Sequence, residues 1–272
     1  MKIAFASCTK IQNQPEQPVW TTILAQSPDH LLLLGDNVYS PNLTGNQKKL
    51  EKRYRQQFVE RNFRNLIQRV PYNAIWDDHD FGRNDIKGAT VDLEYKNRSR
   101  DLFHHYMNCS TNLPHVYHSF VKGEVKFIML DVRYYREKHA RPDATVLGRE
   151  QELWLEQELN HTSKFTVVCS GSCLTEGTEK LEAYDLYYPR LRELLKNRGR
   201  VLFLAGDVHE NKLVEHDGFY EVISSGAGRD NLNNYGMLEY RSDSVVISLV
   251  GEKRARDNIT ATIDSVTWRL LL

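Results

Sequence analysis

The sequence lacks several features that would assign it to a special class of protein. Its longest apolar run, at residues 30–35, has the length of a strand and falls far short of the ~18 residues of a membrane-spanning helix. It carries no net charge, because 36 Lys and Arg residues balance 36 Asp and Glu residues. No overall field draws the chain to nucleic acid or to a membrane, and we expect neither as a partner. Its 40% of hydrophobic residues is typical of a globular protein.

A signal peptide is also missing from the sequence as given. Residues 1–8 begin directly with a strand-like apolar run, without the charged, apolar and cleavage regions of an export signal. We therefore expect a cytoplasmic protein with reduced thiols. None of the four cysteines lies in a C-x-x-C pair: Cys8, Cys109, Cys169 and Cys173. For the last two we expect buried thiols, with metal ligation as the alternative.

Short apolar runs rich in β-branched residues alternate with longer amphipathic segments, which is typical of an α/β protein. The predicted strands are residues 2–6, 30–34, 72–76, 126–130, 165–169, 201–205, 221–224, 244–250 and 258–272. The predicted helices are residues 18–26, 46–70, 92–107, 147–159 and 184–197. We expect a single domain over residues 1–272, with a polar helical insertion at about 81–118.

Residues 74–85 carry an unusual density of charge. They read AIWDDHDFGRND, so that Asp77, Asp78, His79 and Asp80 directly follow a predicted buried strand. Carboxylates this close repel each other unless a cation neutralises them, which favours a metal site. The alternative is a solvated acidic loop.

Polar or thiol side chains also follow other predicted strands. These residues are Cys8, Asp36, Tyr39, Asp131, Arg133, Asp207 and His209. Ligands of α/β sheets bind beyond the carboxyl ends of the strands, so these side chains should converge. Carboxylates, imidazoles and a phenolate suit Fe, Mn, Mg, Ca or Zn, and a thiolate beside a phenolate favours trivalent iron.

Six motifs follow one another over about 200 residues: FASC at 5–8, LGDNVY at 34–39, WDDHDFGRND at 76–85, LDVRYYR at 130–136, LGREQELWL at 147–155 and LAGDVH at 204–209. Their combination resembles the PhoD-like alkaline phosphatases of the calcineurin-like metallophosphoesterase superfamily. The resemblance implies an α/β fold, a four-layer α/β/β/α sandwich of the metallo-dependent phosphatase type. It also implies a phosphoric ester hydrolase with two or more metal ions.

The resemblance assigns a first metal ion, expected to be iron, to Cys8, Tyr39 and His209. Asp36 would bridge this ion to a second one. The second ion is expected to be calcium, and Mn, Mg or Zn are alternatives. Both ions would activate a bridging hydroxide that attacks phosphomonoesters or phosphodiesters.

The second ion would be bound by Asp78 and Asp207, and His79 would be the catalytic histidine near the leaving-group oxygen. A neighbouring carboxylate, such as that of Asp80, is expected to hold the His79 ring while it protonates the leaving group. The Gly-rich residues 224–228 lack the Lys and the following helix of a P-loop, and we expect a turn near the site.

Further residues are expected to support the site or to bind phosphate: Asp77, Asp80, Arg83, Asn84, Asp85 and Asp131. We expect Arg133 to be catalytic with His79, because a guanidinium fork matches two phosphate oxygens. The alternative for Arg133 is a buried ion pair with Asp131 or Asp36.

Two other functions remain open at this stage. One is a non-catalytic scaffold that keeps the fold and uses its surface for partners. The other is a nucleotide or nucleic-acid phosphodiesterase, favoured by the basic face of the helix at residues 48–64 but not by the neutral net charge. The complete set of candidate ligands favours an enzyme that acts on a small phosphate ester, and the oligomeric state is left open.

Overall fold

The computed structural model describes residues 1–40, 47–107 and 114–271. Cys109 and part of the predicted insertion at 81–118 lie outside these residues. The helices are α1 (Val19–Ala25), α2 (Gln47–Val59), α3 (Arg61–Ile67), α4 (Asp78–Phe81), α5 (Leu93–Met107), α6 (Gly148–Leu159) and α7 (Tyr187–Arg198). No helix in this part of the chain is long and apolar enough to cross a membrane.

The strands form two sheets. In chain order they are β1 (Lys2–Ala6), β2 (His30–Leu34), β3 (Tyr72–Ile75), β4 (His118–Lys122), β5 (Val125–Met129), β6 (Phe165–Ser170), β7 (Val201–Ala205), β8 (Asn211–His216), β9 (Phe219–Ser224), β10 (Tyr235–Tyr240), β11 (Ser244–Val250), β12 (Ile259–Asp264) and β13 (Leu270–Leu271). The first sheet has the order β13-β12-β11-β10-β1-β2-β3, and the second has the order β4-β5-β6-β7-β9-β8. Strands β1–β3 are parallel, as are β5, β6, β7 and β9.

The alternation of side chains along β1 and β7 shows how the layers are stacked. On β1, Ile3 and Phe5 belong to the core between the two sheets, whereas Ala4 packs with the helices α1, α2, α3 and α5. On β7, Leu202 faces the shared core, and Phe203 packs with α6 and α7. Both sheets are thus covered by helices on their outer faces, as parallel strands require. The predicted four-layer α/β/β/α sandwich is confirmed.

The prediction of one helix over residues 46–70 is wrong. The chain leaves the helical conformation at Glu60, whose φ of −59° and ψ of 126° separate α2 from α3. The Glu60 carboxylate accepts a hydrogen bond from Phe63 N at 2.6 Å and so caps the start of α3. Because Tyr54 and Phe63 enter the same core cluster, the apolar spacing continues through the break.

Three strands were not predicted, and one segment that was predicted as a single strand forms two strands. β4 and β8 lie at sheet edges and are largely half-exposed, so they lack the continuous apolar run of the central strands. β10, the third, carries a glycine and a glutamate. The segment predicted as a strand over 258–272 forms β12 and β13, which are antiparallel. Asp264 closes the turn between them, since its Oδ1 accepts hydrogen bonds from Val266 N and Thr267 N.

The two sheets come into contact where their parallel strands end. Ser7 Oγ, beyond β1, donates a hydrogen bond to the carbonyl oxygen of Ser224 at the end of β9. Gly206, beyond β7, lies so close to the first sheet that a Cβ there would stand 2.6 Å from Ser7 Oγ and 2.9 Å from Leu34 O. Only glycine permits this approach, and it brings the loops of both sheets to one place.

Candidate metal centre

Four predicted ligands lie in loops that follow parallel strands and share a strained backbone. Cys8 follows β1, Asp36 follows β2, and Asp207 and His209 follow β7. Their φ angles are 61°, 50°, 71° and 55°, in the left-handed region. Residues other than glycine rarely adopt this conformation, and such residues are concentrated at functional sites. These four residues lie together at the strand ends, which fits a functional site there.

Cys8, Tyr39 and His209 form one side of the site. Cys8 Sγ lies 3.5 Å from Asp36 Oδ2, and Tyr39 Oη lies 3.1 Å from His209 Nε2. Burial raises the pKa of the Cys8 thiol and holds the pKa of the Tyr39 phenol well above its usual range. Both groups therefore keep their protons unless a cation binds and displaces them.

Asp36, Asp78 and His79 form the other side, and one potential ligand atom of each lies within 4.8 Å of the others. The backbone N–H of His79 donates to Asp78 Oδ1 at 2.8 Å and to Asp36 Oδ1 at 3.2 Å. Asp78, Asp85 and Glu179 form a second group of this kind. Asp36 thus touches both sides of the site, with one carboxylate oxygen toward Cys8 and one toward α4.

Asp207 and His209 complete the site less tightly. In the part of the chain that the structure describes, neither belongs to a group of three His, Cys, Asp or Glu ligand atoms within 4.8 Å, and nor does Cys8. The backbone oxygen of Asp207 lies 3.8 Å from Cys8 Sγ. Both Asp207 and His209 are partly exposed, so they form the solvent side of the centre.

The electrostatics of these carboxylates fit a bound cation. Burial and the charge of Asp78 hold the pKa of Asp36 well above its usual range. Burial, together with the charges of Asp77 and Asp78, raises the pKa of Asp207 to about 8. Burial also opposes the ionisation of Asp78, but the charge of Arg133 lowers its pKa. The charged forms of such a group are costly until a cation neutralises them, so the donors fit a metal site.

His79 lies against Tyr39, with 4.1 Å between the ring centroids. Its buried Nδ1 has no hydrogen-bond partner among the described residues, and burial lowers the pKa of the imidazole. The hypothesis that Asp80 holds this ring is wrong. Asp80 Oδ2 instead accepts hydrogen bonds from the backbone N–H groups of Asn37 and Asp77, each at 3.1 Å. Asp80 therefore fixes the backbone of the site, and burial raises its pKa to about 7.

Arg133 is fully buried, with 0% of its surface exposed. Its guanidinium donates to Asp77 Oδ1 at 2.5 Å and also to Glu179. Arg133 thus forms a buried ion pair, as the alternative predicted. The predicted partners, Asp131 and Asp36, are wrong. Asp131 accepts the backbone N–H of Arg133 and leaves the guanidinium to others. With no exposed surface, the guanidinium cannot contact a phosphate in this structure, and it holds Asp77 in place.

The other predicted residues divide between anchors and the exposed edge of the site. Asp131 is an anchor, because its Oδ1 accepts the indole N–H of Trp76 at 2.6 Å. Asn84 and Asp85 are exposed and Arg83 is partly exposed. Asp85 touches the site through its backbone N–H, which donates to Asp78 Oδ2 at 2.5 Å.

The Gly-rich segment is a turn beside the site, as predicted. Ser225 Oγ accepts the backbone N–H of His209 at 2.9 Å, and Gly226 N donates to Ser7 O at 3.1 Å. Cys169 and Cys173 are free buried thiols, which confirms that prediction.

Two residues of the site were not predicted from the sequence. Arg229 donates to Tyr39 Oη at 3.0 Å, and its Nη1 lies 2.7 Å from His209 Nε2. Glu179 pairs with Arg133 and Lys87, and although burial opposes it, the charge of Arg133 lowers the pKa of Glu179 to about 2. Arg229 directly follows the Gly-rich turn, and this position could have indicated that it lies near the site. No sequence feature marks Glu179.

Comparisons with known proteins agree on one family. The model of the family "PhoD-like phosphatase" matches residues 3–225. Alkaline phosphatase D of Bacillus subtilis (strain 168) is 27% identical over 270 residues, an alignment that covers 77% of this chain and 46% of that protein. The chain thus spans about half the length of the curated relative that it matches.

Two solved structures share the fold. A structure of PhoD superposes with a TM-score of 0.77 at 18% identity, covering 100% of this chain and 71% of that one. GAP50, described as the anchor in the inner membrane complex of Plasmodium, has a TM-score of 0.60 at 13% identity, with coverages of 97% and 89%. A four-layer sandwich with an acidic centre at its strand ends, together with the family match, fits the calcineurin-like metallophosphoesterase superfamily. Within that superfamily, the chain belongs to the PhoD-like phosphatase family.

Proposed function

We propose that the chain is a metal-dependent phosphohydrolase that cleaves phosphomonoesters, phosphodiesters or both. The observation that carries this proposal is the position of Asp36 between two sets of donors. Its Oδ2 lies 3.5 Å from Cys8 Sγ, and its Oδ1 accepts the N–H of His79, which also donates to Asp78. One carboxylate shared between two donor sets is what a bridging ligand of a two-metal site requires.

The donor types support a particular distribution of metals. Cys8, Tyr39 and His209 offer a thiol, a phenol and an imidazole, which suit iron. Asp78 and Asp207 offer oxygen atoms, which suit calcium, with Mn, Mg or Zn as alternatives. Cations bound at these positions supply Lewis-acid activation of water and neutralise charge on phosphate oxygens.

The side chains of the protein have separate tasks in this proposal. His79 is placed beside the leaving-group oxygen. Because burial lowers its pKa, the imidazole is neutral and stabilises that oxygen by donating an N–H hydrogen bond, without transferring its proton. Tyr39 holds the ring through their contact. Arg133 acts through Asp77 and does not touch the substrate.

A scaffold without catalysis is the second candidate. The specific observation in its favour is the likeness to GAP50, since a protein described as an anchor shares this fold. The fold therefore does not distinguish an enzyme from an anchor. The enzyme is favoured by the contacts within the site. Cys8 contacts Asp36, Tyr39 contacts His79, and Asp78 lies close to Asp36 and His79.

Hydrolysis assays with p-nitrophenyl phosphate and its bis ester test the proposal. We expect metal-loaded protein to hydrolyse at least one of them, and a chelator to abolish the activity. The variant His79→Ala should lose about 100-fold in kcat, the typical cost of removing one donor that stabilises developing negative charge in the transition state. His161→Ala is the matched control, because His161 is exposed and lies between α6 and β6, at the opposite end of the second sheet. Equal activity of the His79→Ala and His161→Ala variants would exclude the proposed role of His79, and an inactive loaded wild type would favour the scaffold.

A further inference from the structure

Two cationic side chains lie beside Tyr39 at the solvent side of the metal centre. The guanidinium carbon of Arg229 is 5.0 Å from the centroid of the Tyr39 ring, and Lys10 Nζ is 5.6 Å from it. Both residues are partly exposed. The backbone connects them as well, since Lys10 N donates to the carbonyl oxygen of Gly228, next to Arg229, at 2.8 Å.

The guanidinium of Arg229 is anchored at one edge and faces the site with the other. Its Nε lies 3.2 Å from Asp230 Oδ2, and Asp230 Oδ1 accepts a hydrogen bond from Asn13 Nδ2 at 2.9 Å. Its Nη1 points to Tyr39 Oη and His209 Nε2. The side chain remains 24% exposed, so solvent and solutes reach it.

The contact with His209 has a consequence for the loaded site. A guanidinium only donates hydrogen bonds, so Nε2 of His209 must present its lone pair to Arg229. The same lone pair would bind a metal ion, and it serves one partner at a time. If His209 bound a metal ion, one N–H of Arg229 Nη1 would lose its acceptor, while the other would still donate to Tyr39 Oη and Nε would stay with Asp230. The released N–H would then be a positioned donor beside the candidate metal centre.

Lys10 adds a second positive charge at the same place. In the part of the chain that the structure describes, its ammonium group has no carboxylate within 4.0 Å. Like Arg229, Lys10 lies beside the Tyr39 ring, so two positive charges stand at the solvent side of the candidate metal centre.

We propose that Arg229 binds the terminal oxygens of the substrate phosphate, supported by Lys10, and that this pair selects phosphomonoesters over phosphodiesters. The inference rests on the proposed phosphohydrolase function. A phosphomonoester carries about −1.5 to −2 charges at pH 7, with three free oxygens. A diester carries one charge and has a second organic group where a donor would bind. A guanidinium fork and an ammonium group thus match the monoester better.

The decisive comparison is the ratio of kcat/KM for p-nitrophenyl phosphate to kcat/KM for the bis ester, measured on metal-loaded protein. We expect Arg229→Ala to lower the value for the monoester by about 100-fold and for the diester by about 10-fold or less, so the ratio falls about tenfold. Arg229→Lys keeps the charge but not the planar guanidinium, so its ratio should lie between those of the wild type and Arg229→Ala. Lys10→Ala should lower the ratio less than Arg229→Ala does. Arg241→Ala is the matched control, since Arg241 is exposed, pairs with Glu239 and lies at the far end of the first sheet.

Binding of inorganic phosphate provides a readout that does not depend on turnover. Calorimetric titration of the loaded protein should show that Arg229→Ala binds phosphate about 10- to 100-fold more weakly, with unchanged metal content. Unchanged phosphate affinity, or an equal loss for both esters, would overturn the inference while leaving the hydrolase intact. Loss of metal from the Arg229→Ala variant would instead assign Arg229 to the positioning of ligands and would also overturn it. A wild type that holds metal but cleaves neither ester would refute the proposed function itself.

Discussion

At the scale of single residues, the site depends on the buried ion pair between Arg133 and Asp77, which is shielded from solvent. Arg133 lies between Asp77 and Glu179, and all three side chains are at least nine-tenths buried. Asp77 in turn precedes the candidate ligand Asp78 by one residue, so the position of α4 depends on this contact. Burial raises the pKa of Asp77 to about 6, although the charge of Arg133 lowers it. Without Arg133, the buried carboxyl group of Asp77 would lose its cationic partner, and Glu179 would keep only Lys87.

Replacing Arg133 should therefore destabilise the whole protein. We expect Arg133→Met to lower the free energy of unfolding by about 3–5 kcal/mol, because breaking a buried ion pair leaves an uncompensated charge. Urea unfolding monitored by circular dichroism measures the loss. Arg190→Ala is the control, since Arg190 is 53% exposed, pairs with Glu152 and Glu156, and should change stability by about 1 kcal/mol or less. Equal stability of the two variants would show that Arg133 is not an anchor.

At the scale of elements, the strands that the sequence predicted are those whose burial on both faces requires a continuous apolar run. β2 and β7 are buried on both faces, so their continuous apolar runs marked them correctly. The edge strands β4 and β8 are half-exposed and have no such run. The turn at Glu60 escaped prediction because a cap, and not a change in the apolar spacing, separates α2 from α3.

The cap at Glu60 can be tested by a single substitution. Glu60→Ala removes the acceptor of Phe63 N and should lower the free energy of unfolding by about 1 kcal/mol, as for other lost caps. Chemical denaturation measures this loss. Glu51→Ala is the control, because the Glu51 carboxylate pairs with Arg55 on the surface of α2, a contact worth about 0.3–0.5 kcal/mol. A loss no larger than that of the control would mean that α3 does not depend on the cap.

The residues proposed as ligands could be singled out in the sequence because they closely follow strands. Asp36 and Asp207 each come after a glycine at a strand end, and both have positive φ. Arg229 and Glu179 have no such marker. They lie in loops that only the tertiary structure brings beside Tyr39 and Arg133. Sequence spacing indicates which side chains leave a strand together, but not which loop folds over them.

At the scale of the whole molecule, the two sheets act together to build one centre. Cys8 and Asp36 come from loops of the first sheet and Asp78 from α4, which follows β3, whereas Asp207 and His209 follow β7 of the second sheet. Gly206 allows the sheets to approach closely enough for this, since a larger residue would collide with Ser7. The likeness to PhoD extends over this whole sandwich.

The central claim is that Asp36 connects two metal positions, and metal analysis of the purified protein tests it most directly. Elemental analysis of wild type and of Asp36→Asn, each loaded with iron and calcium and then desalted, counts the bound ions per chain. We predict at least two ions for the wild type, with iron among them, and loss of both from Asp36→Asn, because Asn has no negative charge and only one oxygen, and so cannot replace a carboxylate shared by two ions. A wild type without stoichiometric metal, or an Asp36→Asn variant that retains both ions, would contradict the account.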